Sequence, residues 1–189
     1  MFRFNYSKFY SHFTKSISYD SNNIYFRPSE PINRNHIFSL TRLIQEKNNK
    51  SNIKNLNPIK LHITSRGGDA ELGLMAYDLL KQSKIPIYTY CEGYVYSAAT
   101  FIYLAGTKRF ITPNSTFLIH QINFEHCGKY NDLIDIHQNT TIIMKNMENL
   151  YLKETKIDKK TLKKFFTRDI TLSSDDCIKL GISNKKIYN

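Results

Sequence analysis

Ser97, His120 and Asp169 are the residues of this chain whose types could combine into one chemistry. A serine hydroxyl attacks a carbonyl when a neighbouring base takes its proton, and a histidine does this best when a carboxylate holds its ring in the right tautomer. Ser97 lies at a junction in CEGYVYSAATF, where an apolar β-rich run gives way to small apolar helix formers. A serine there is either a helix cap or a nucleophile favoured by the positive end of the helix dipole, with the following N–H open to an oxyanion. The pattern is not the GxSxG elbow, since Val95 and Ala99 stand two residues to either side, although Gly93 can bend the chain just before.

His120 ends the apolar run TFLIH and precedes Gln121. That position suits a general base, and it equally suits a core histidine with its hydrogen bonds satisfied. His62 lies inside a strand pattern, while His12, His36, His126 and His137 fall in arm, loop or helix-face settings, and none has a better claim. Asp169, in TRDITLS, sits in a connection between two helical patterns; Asp175 and Asp176 read as first-turn helix acids. The turn TSRGGD carries Gly67 and Gly68 between a strand end and a helix start. Glycines there let the backbone approach a ligand and point N–H groups at an anion, though a tight turn alone also explains them. The GxGxxG and GK[ST] spacings of nucleotide sites are missing.

The elements that must position these residues alternate. Strand patterns fall at Asn23–Phe26, Ile59–Ile63, Ile85–Cys91, Arg109–Thr112 and Thr116–His120. Helical patterns fall at Asn33–Gln45, Ala70–Lys81, from Ser97 onward and along Tyr130–Glu154, where Leu133, Ile136, Thr140, Ile143, Met147 and Leu150 form one stripe. Asp158 caps a shorter helix through Phe166, and Ser173 caps a last one that Gly181 ends. The stretch EKNNKSNIKNLNP reads as a polar loop. Such alternation predicts one α/β domain of sheet strands joined by crossover helices over residues 23–189. Residues 1–22 read as a flexible or docking arm; their bias against acids is shared by organelle transit peptides, but a single arginine supports that little.

Composition narrows the classes. A chain of 189 residues can bury a full core, and no run approaches the roughly eighteen apolar residues of a membrane span. Cys91, Cys127 and Cys177 form no CxxC pair and no zinc-spaced cluster, so reduced thiols in a cytoplasmic compartment are the simplest reading, with no metal or other cofactor expected. The formal charge of +11 would suit nucleic acid, but the lysines are scattered among Asn and Ile, and Lys159, Lys160, Lys163 and Lys164 have the spacing of a solvated helix face. Neither a specific nucleic-acid partner nor a membrane is expected.

Four segments in order resemble the proteolytic subunit of the Clp protease family, the ClpP-type serine peptidases. ITSRGGDAELGLMAYDLL resembles the family's Gly-Gly segment, CEGYVYSAATFIYLAG its serine segment, PNSTFLIHQ its histidine segment and TRDITLSSDDCIKLGI its aspartate segment. The resemblance spans about Asn23 to Ile187. It implies Ser97 as nucleophile, His120 as base, Asp169 as orienting carboxylate, and an oxyanion hole made by the backbone N–H groups of Gly68 and Ala98.

The implied fold is a crotonase-like α/β spiral with a protruding handle helix, Tyr130–Glu154. The implied assembly is a homo-oligomer of heptameric rings, stacked as a tetradecamer around a chamber that an AAA+ unfoldase feeds with unfolded protein, ATP being used by that partner alone. Arg66 stands where the family has a proline, Tyr96 and Ala99 flank the serine where smaller residues or glycine are usual, and Thr167 stands where an acid often adjoins the arginine. Two rival readings follow: a catalytically inactive structural ring subunit, and an acyl-CoA enzyme on the same fold, against which the Ser–His–Asp set speaks.

Overall fold

The computed structural model describes residues 16–50 and 57–188. Strands β1 (Ile17–Asp20) and β2 (Asn23–Phe26) form a hairpin, and helix α1 (Arg34–Lys50) follows. Strand β3 (Ile59–Ser65), helix α2 (Ala70–Lys81) and strand β4 (Ile87–Tyr96) come next, then the short helix α3 (Ala99–Leu104). Strands β5 (Lys108–Ile111) and β6 (Thr116–Leu118) lead to the long helix α4 (Tyr130–Glu154). Helix α5 (Lys159–Thr167), strand β7 (Thr171–Leu172), helix α6 (Ser174–Lys179) and strand β8 (Lys185–Lys186) complete the chain.

The strands lie in the order β1-β2-β3-β4-β5-β8, with β6 beside β4 and β7 beside β6. All pairs are parallel except β1–β2 and β6–β7. Parallel neighbours require crossovers, which the alternating helices supply. Alternate side chains of β2, β3 and β4 are fully buried, among them Ile24, Phe26, Leu61, Ile63, Cys91 and Val95, and join a core with Ala76, Phe101 and Tyr103. On the opposite face Tyr25, His62, Tyr90 and Phe110 stand in register across four strands, their rings stacked at 4.8, 4.6 and 4.9 Å.

Three boundaries differ from the sequence reading by more than two residues. The domain expected from residue 23 reaches back to Ile17, because β1 pairs with β2; residues 1–15 of the expected arm lie outside the described residues. The polar run after Gln45 stays helical to Lys50. Arg42 pairs with Glu46 at 2.9 Å, and the Asn48 side-chain oxygen accepts from the Ile85 N–H at 3.0 Å, so polar side chains hold that turn in place. Residues 51–56 of the expected loop are outside the described residues.

Strand β4 does not stop at Cys91 but continues to Tyr96. Its register against β3 slips after Ile63↔Cys91 to Ser65↔Val95, and Gly93 takes φ +84 there. Beyond the bulge β4 still pairs with β3 at Ser65↔Val95 but exchanges β5 for β6 as its other neighbour, which is how the chain brings Ser97 beside the segment that carries His120.

Candidate active site

Ser97 is held from three sides. Its N–H donates to the Leu118 carbonyl at 2.9 Å, its carbonyl accepts from the Thr100 hydroxyl at 2.5 Å, and Gly67 packs against it so closely that an added Cβ would lie 2.6 Å from its own. The residue adopts φ +54, the left-handed region that side chains other than glycine rarely occupy. Such strain persists only where the surroundings over-determine it. The helix that Ser97 precedes is α3, whose six residues are all buried.

The bond to Leu118 also fixes Ser97 relative to His120, two residues further along the same segment. The segment leading into strand β7 carries Asp169. That strand pairs antiparallel with β6, Leu118 opposite Thr171, and the same register carried two residues on sets His120 opposite Asp169. The His120 Nδ1 lies 3.7 Å from the Asp169 carboxylate, an ion-pair distance longer than a hydrogen bond. The Asp169 side chain is 78% exposed. Among the described residues no hydrogen bond joins the Ser97 hydroxyl to the His120 ring. The three side chains are thus gathered without being locked together.

The Gly-Gly turn faces Ser97. Ile32 clamps it by donating to the Gly67 carbonyl at 2.8 Å and accepting from the Asp69 N–H at 3.1 Å. This pairing leaves the Gly68 N–H pointing away from Ile32. A side chain on Gly68 would collide with the Ile32 backbone, and its φ of +153 also favours glycine. Asp69 then caps α2 through the Leu72 N–H at 2.9 Å. Among the described residues neither the Gly68 N–H nor the Ala98 N–H donates to a protein acceptor. Unpaired backbone donors beside a hydroxyl are what a developing oxyanion requires.

Ser97, Ala98, Gly68 and His120 line one cavity of about 480 Å³. Phe101, Ile122 and Met147 make its apolar wall; of these the sequence reading places Met147 only on the apolar stripe of the long helix. Its mouth carries Arg66, whose guanidinium lies 5.1 Å above the Tyr94 ring. Sequence reasoning missed Ile32 and Tyr94, because a backbone clamp between distant segments has no side-chain signature and a strand tyrosine looks like any other.

Of the other histidines, His36 and His62 have structural partners, and His12 lies outside the described residues. His36 is buried and bonded to Ser16 and Asn33, and His62 pairs with Glu92 at 2.8 Å inside the aromatic stack. Burial pushes the Cys91 thiol up to about 12, so it is not a competing nucleophile at neutral pH. Among the described residues no three His, Cys, Asp or Glu side chains could hold a metal ion, and no helix is long and apolar enough to cross a membrane.

The chain is similar to known proteins in sequence and in fold. The model of the family described as Clp protease matches residues 33–188. The ATP-dependent Clp protease proteolytic subunit 2 of Treponema denticola is 36% identical over 135 residues, 70% of this chain and 67% of that protein. A single-substitution variant of ClpP1 from Listeria monocytogenes superposes with a TM-score of 0.75 at 26% identity, covering 84% of this chain and 88% of the other.

Proposed function

The chain belongs to the Clp protease family, and from that premise we propose that it is a serine endopeptidase that hydrolyses unfolded proteins or peptides inside an oligomeric chamber. The observation that carries this reading is the convergence of Ser97, His120 and the free N–H groups of Gly68 and Ala98 on one cavity.

In the reaction, Ser97 Oγ attacks the scissile carbonyl carbon while His120 takes the hydroxyl proton. The carbonyl oxygen, now negative, is held by the Gly68 and Ala98 N–H groups, and each such donor contributes on the order of a hundredfold or more in rate. Collapse breaks the C–N bond, and His120 gives its proton to the departing amine. Water, deprotonated by His120, then attacks the acyl ester and releases the acid and the free Ser97 hydroxyl. Asp169 orients the His120 ring and stabilises its charged form. None of these steps calls on a cofactor.

The ring assembly, a heptamer stacked as a tetradecamer, and an ATP-driven unfoldase partner belong to the same proposal, as does a cytoplasmic setting. The matched Treponema protein is named as a subunit of an ATP-dependent protease. The half-exposed helix α4 fits a contact between rings.

A second reading, an inactive ring subunit, has its own observation: the 3.7 Å separation and the exposed Asp169. Fluorophosphonate labelling read by intact mass separates the two. Stoichiometric labelling of the native chain that vanishes in Ser97→Ala is the expected result. A well-folded, ring-forming native protein that takes no label would turn the assignment to the inactive subunit.

A further inference from the structure

The cavity wall carries few charged groups, and all but one are engaged. Glu30 accepts from the Asn33 side chain at 3.3 Å and lies 3.4 Å from the His36 ring. Asp69 is spent on the α2 cap. His120 faces Asp169. Arg66 alone has no carboxylate within ion-pair distance among the described residues; its guanidinium rests on the Tyr94 ring. A ring face holds a guanidinium in place without neutralising it, which leaves the N–H edge free to meet an anion.

Arg66 is two residues ahead of Gly68. A peptide whose scissile carbonyl oxygen sits at the Gly68 N–H advances roughly 3.3–3.6 Å per residue when extended. An Arg66 side chain at the cavity mouth therefore meets substrate side chains near the bond, while the apolar wall of Phe101, Ile122 and Met147 offers nothing to a charge. We infer that Arg66 is a specificity-determining residue that selects substrates bearing an Asp or Glu side chain within three residues of the bond cut at Ser97. This rests on the endopeptidase reading above. The chain's charge of +11 steers acidic peptides toward it at long range, whereas the Arg66 contact discriminates by position.

Internally quenched peptides test this, identical except that Asp, Asn or Lys occupies in turn each of the three positions on either side of the cleaved bond. The expected result is a kcat/KM about tenfold higher for Asp than for Asn at one or two of these positions, the size of one charge-assisted contact at a wet cleft mouth. Arg66→Gln brings the Asp peptide down to the Asn peptide and leaves the Asn peptide within about twofold; Arg66→Glu turns the preference toward Lys. Thermal melting and probe labelling of Ser97 check that each variant is folded. Cleavage without an Asp preference, or a preference that survives in Arg66→Gln, overturns the inference and leaves the endopeptidase reading standing.

The same peptides carrying a fluorophore are also titrated by anisotropy against Ser97→Ala, with and without Arg66→Gln. If the native protein cleaves nothing, the endopeptidase reading falls, and tighter binding of Asp peptides that depends on Arg66 reduces the inference to Arg66 as an acidic-peptide contact. Absence of such discrimination overturns both.

Discussion

Ser97 holds a backbone conformation that glycine would adopt more easily, and the chain keeps the side chain there regardless. Replacing it separates the hydroxyl from the strain. Ser97→Ala and Ser97→Gly both lose the nucleophile, but Ser97→Gly is expected to be the more stable of the two by up to about 1 kcal/mol in denaturant unfolding, since it relieves the left-handed φ. Equal stability would mean the surroundings hold this conformation at no cost. The neighbouring glycines make a matched pair. An Ala at Gly67 meets Ser97 Cβ at 2.6 Å and the Tyr96 carbonyl at 2.7 Å, whereas one at Gly93 meets only Thr64 at 3.6 Å. Both positions have positive φ. Gly67→Ala is expected to cost on the order of 3 kcal/mol and to slow probe labelling, Gly93→Ala about 1 kcal/mol from backbone strain alone. Similar losses for the two would show that contact with Ser97 does not matter. Ser97, His120 and Asp169 could be singled out in the sequence because acyl transfer calls for those residue types and the flanking segments resemble a specific family pattern. The left-handed serine and the Ile32 clamp were not, since both are backbone arrangements that no residue type announces.

At the scale of elements, alternation of strand and helix patterns was enough to foresee a parallel sheet with crossovers, and the Asp158 and Ser173 caps fall where expected. What misled was polarity. The tail of α1 looks like loop because its stabilising contacts are an ion pair and the Asn48 side chain, which leave no apolar stripe. The continuation of β4 past Cys91 was hidden because Glu92 and Gly93 at the bulge interrupt the apolar run, although Gly93 itself marked the bend. The C-terminal end of α4 shows another polar device. Burial alone would raise the Glu154 carboxyl, but the Tyr77 hydroxyl at 2.5 Å, Lys81 and Arg109 outweigh it and hold it below the usual carboxylate range. Arg109 also binds the carbonyls of Glu154, Gly181 and Ile182, tying α4 and the last segment to β5. A depressed acid contributes stability above its unfolded pKa and loses it as pH falls through the folded value. Tyr77→Phe is expected to destabilise the protein by about 1–2 kcal/mol at neutral pH. The gap between variant and native protein should close as the pH drops below the glutamate range and Glu154 protonates. A gap that is unchanged in acid would separate Tyr77 from that carboxylate.

At the scale of the molecule, the sequence predicted one stripe along Tyr130–Glu154, and only its C-terminal part is covered. Met147 and Leu150 of that stripe are buried, Ile136, Thr140 and Ile143 are half-buried and Leu133 is exposed, as are Ile134 and Ile142 beside the stripe. An apolar stripe that leaves its own domain is complete only against another surface. Leu133→Glu combined with Ile142→Glu is expected to shift the sedimenting species to smaller assemblies, with the circular-dichroism melt of the protomer nearly unchanged because neither residue touches the core. An unaltered mass distribution would place the ring contact elsewhere. The same half-supported helix bears on how long each copy survives. Its outer turns, where Leu133, Ile134 and Ile142 are exposed, bury little within the described domain, so in an unassembled copy they are expected to open more readily and offer extended chain to a peptidase. If the protein assembles as proposed, copies made in excess of their partners are expected to be the first removed, and abundance would follow the company each copy finds.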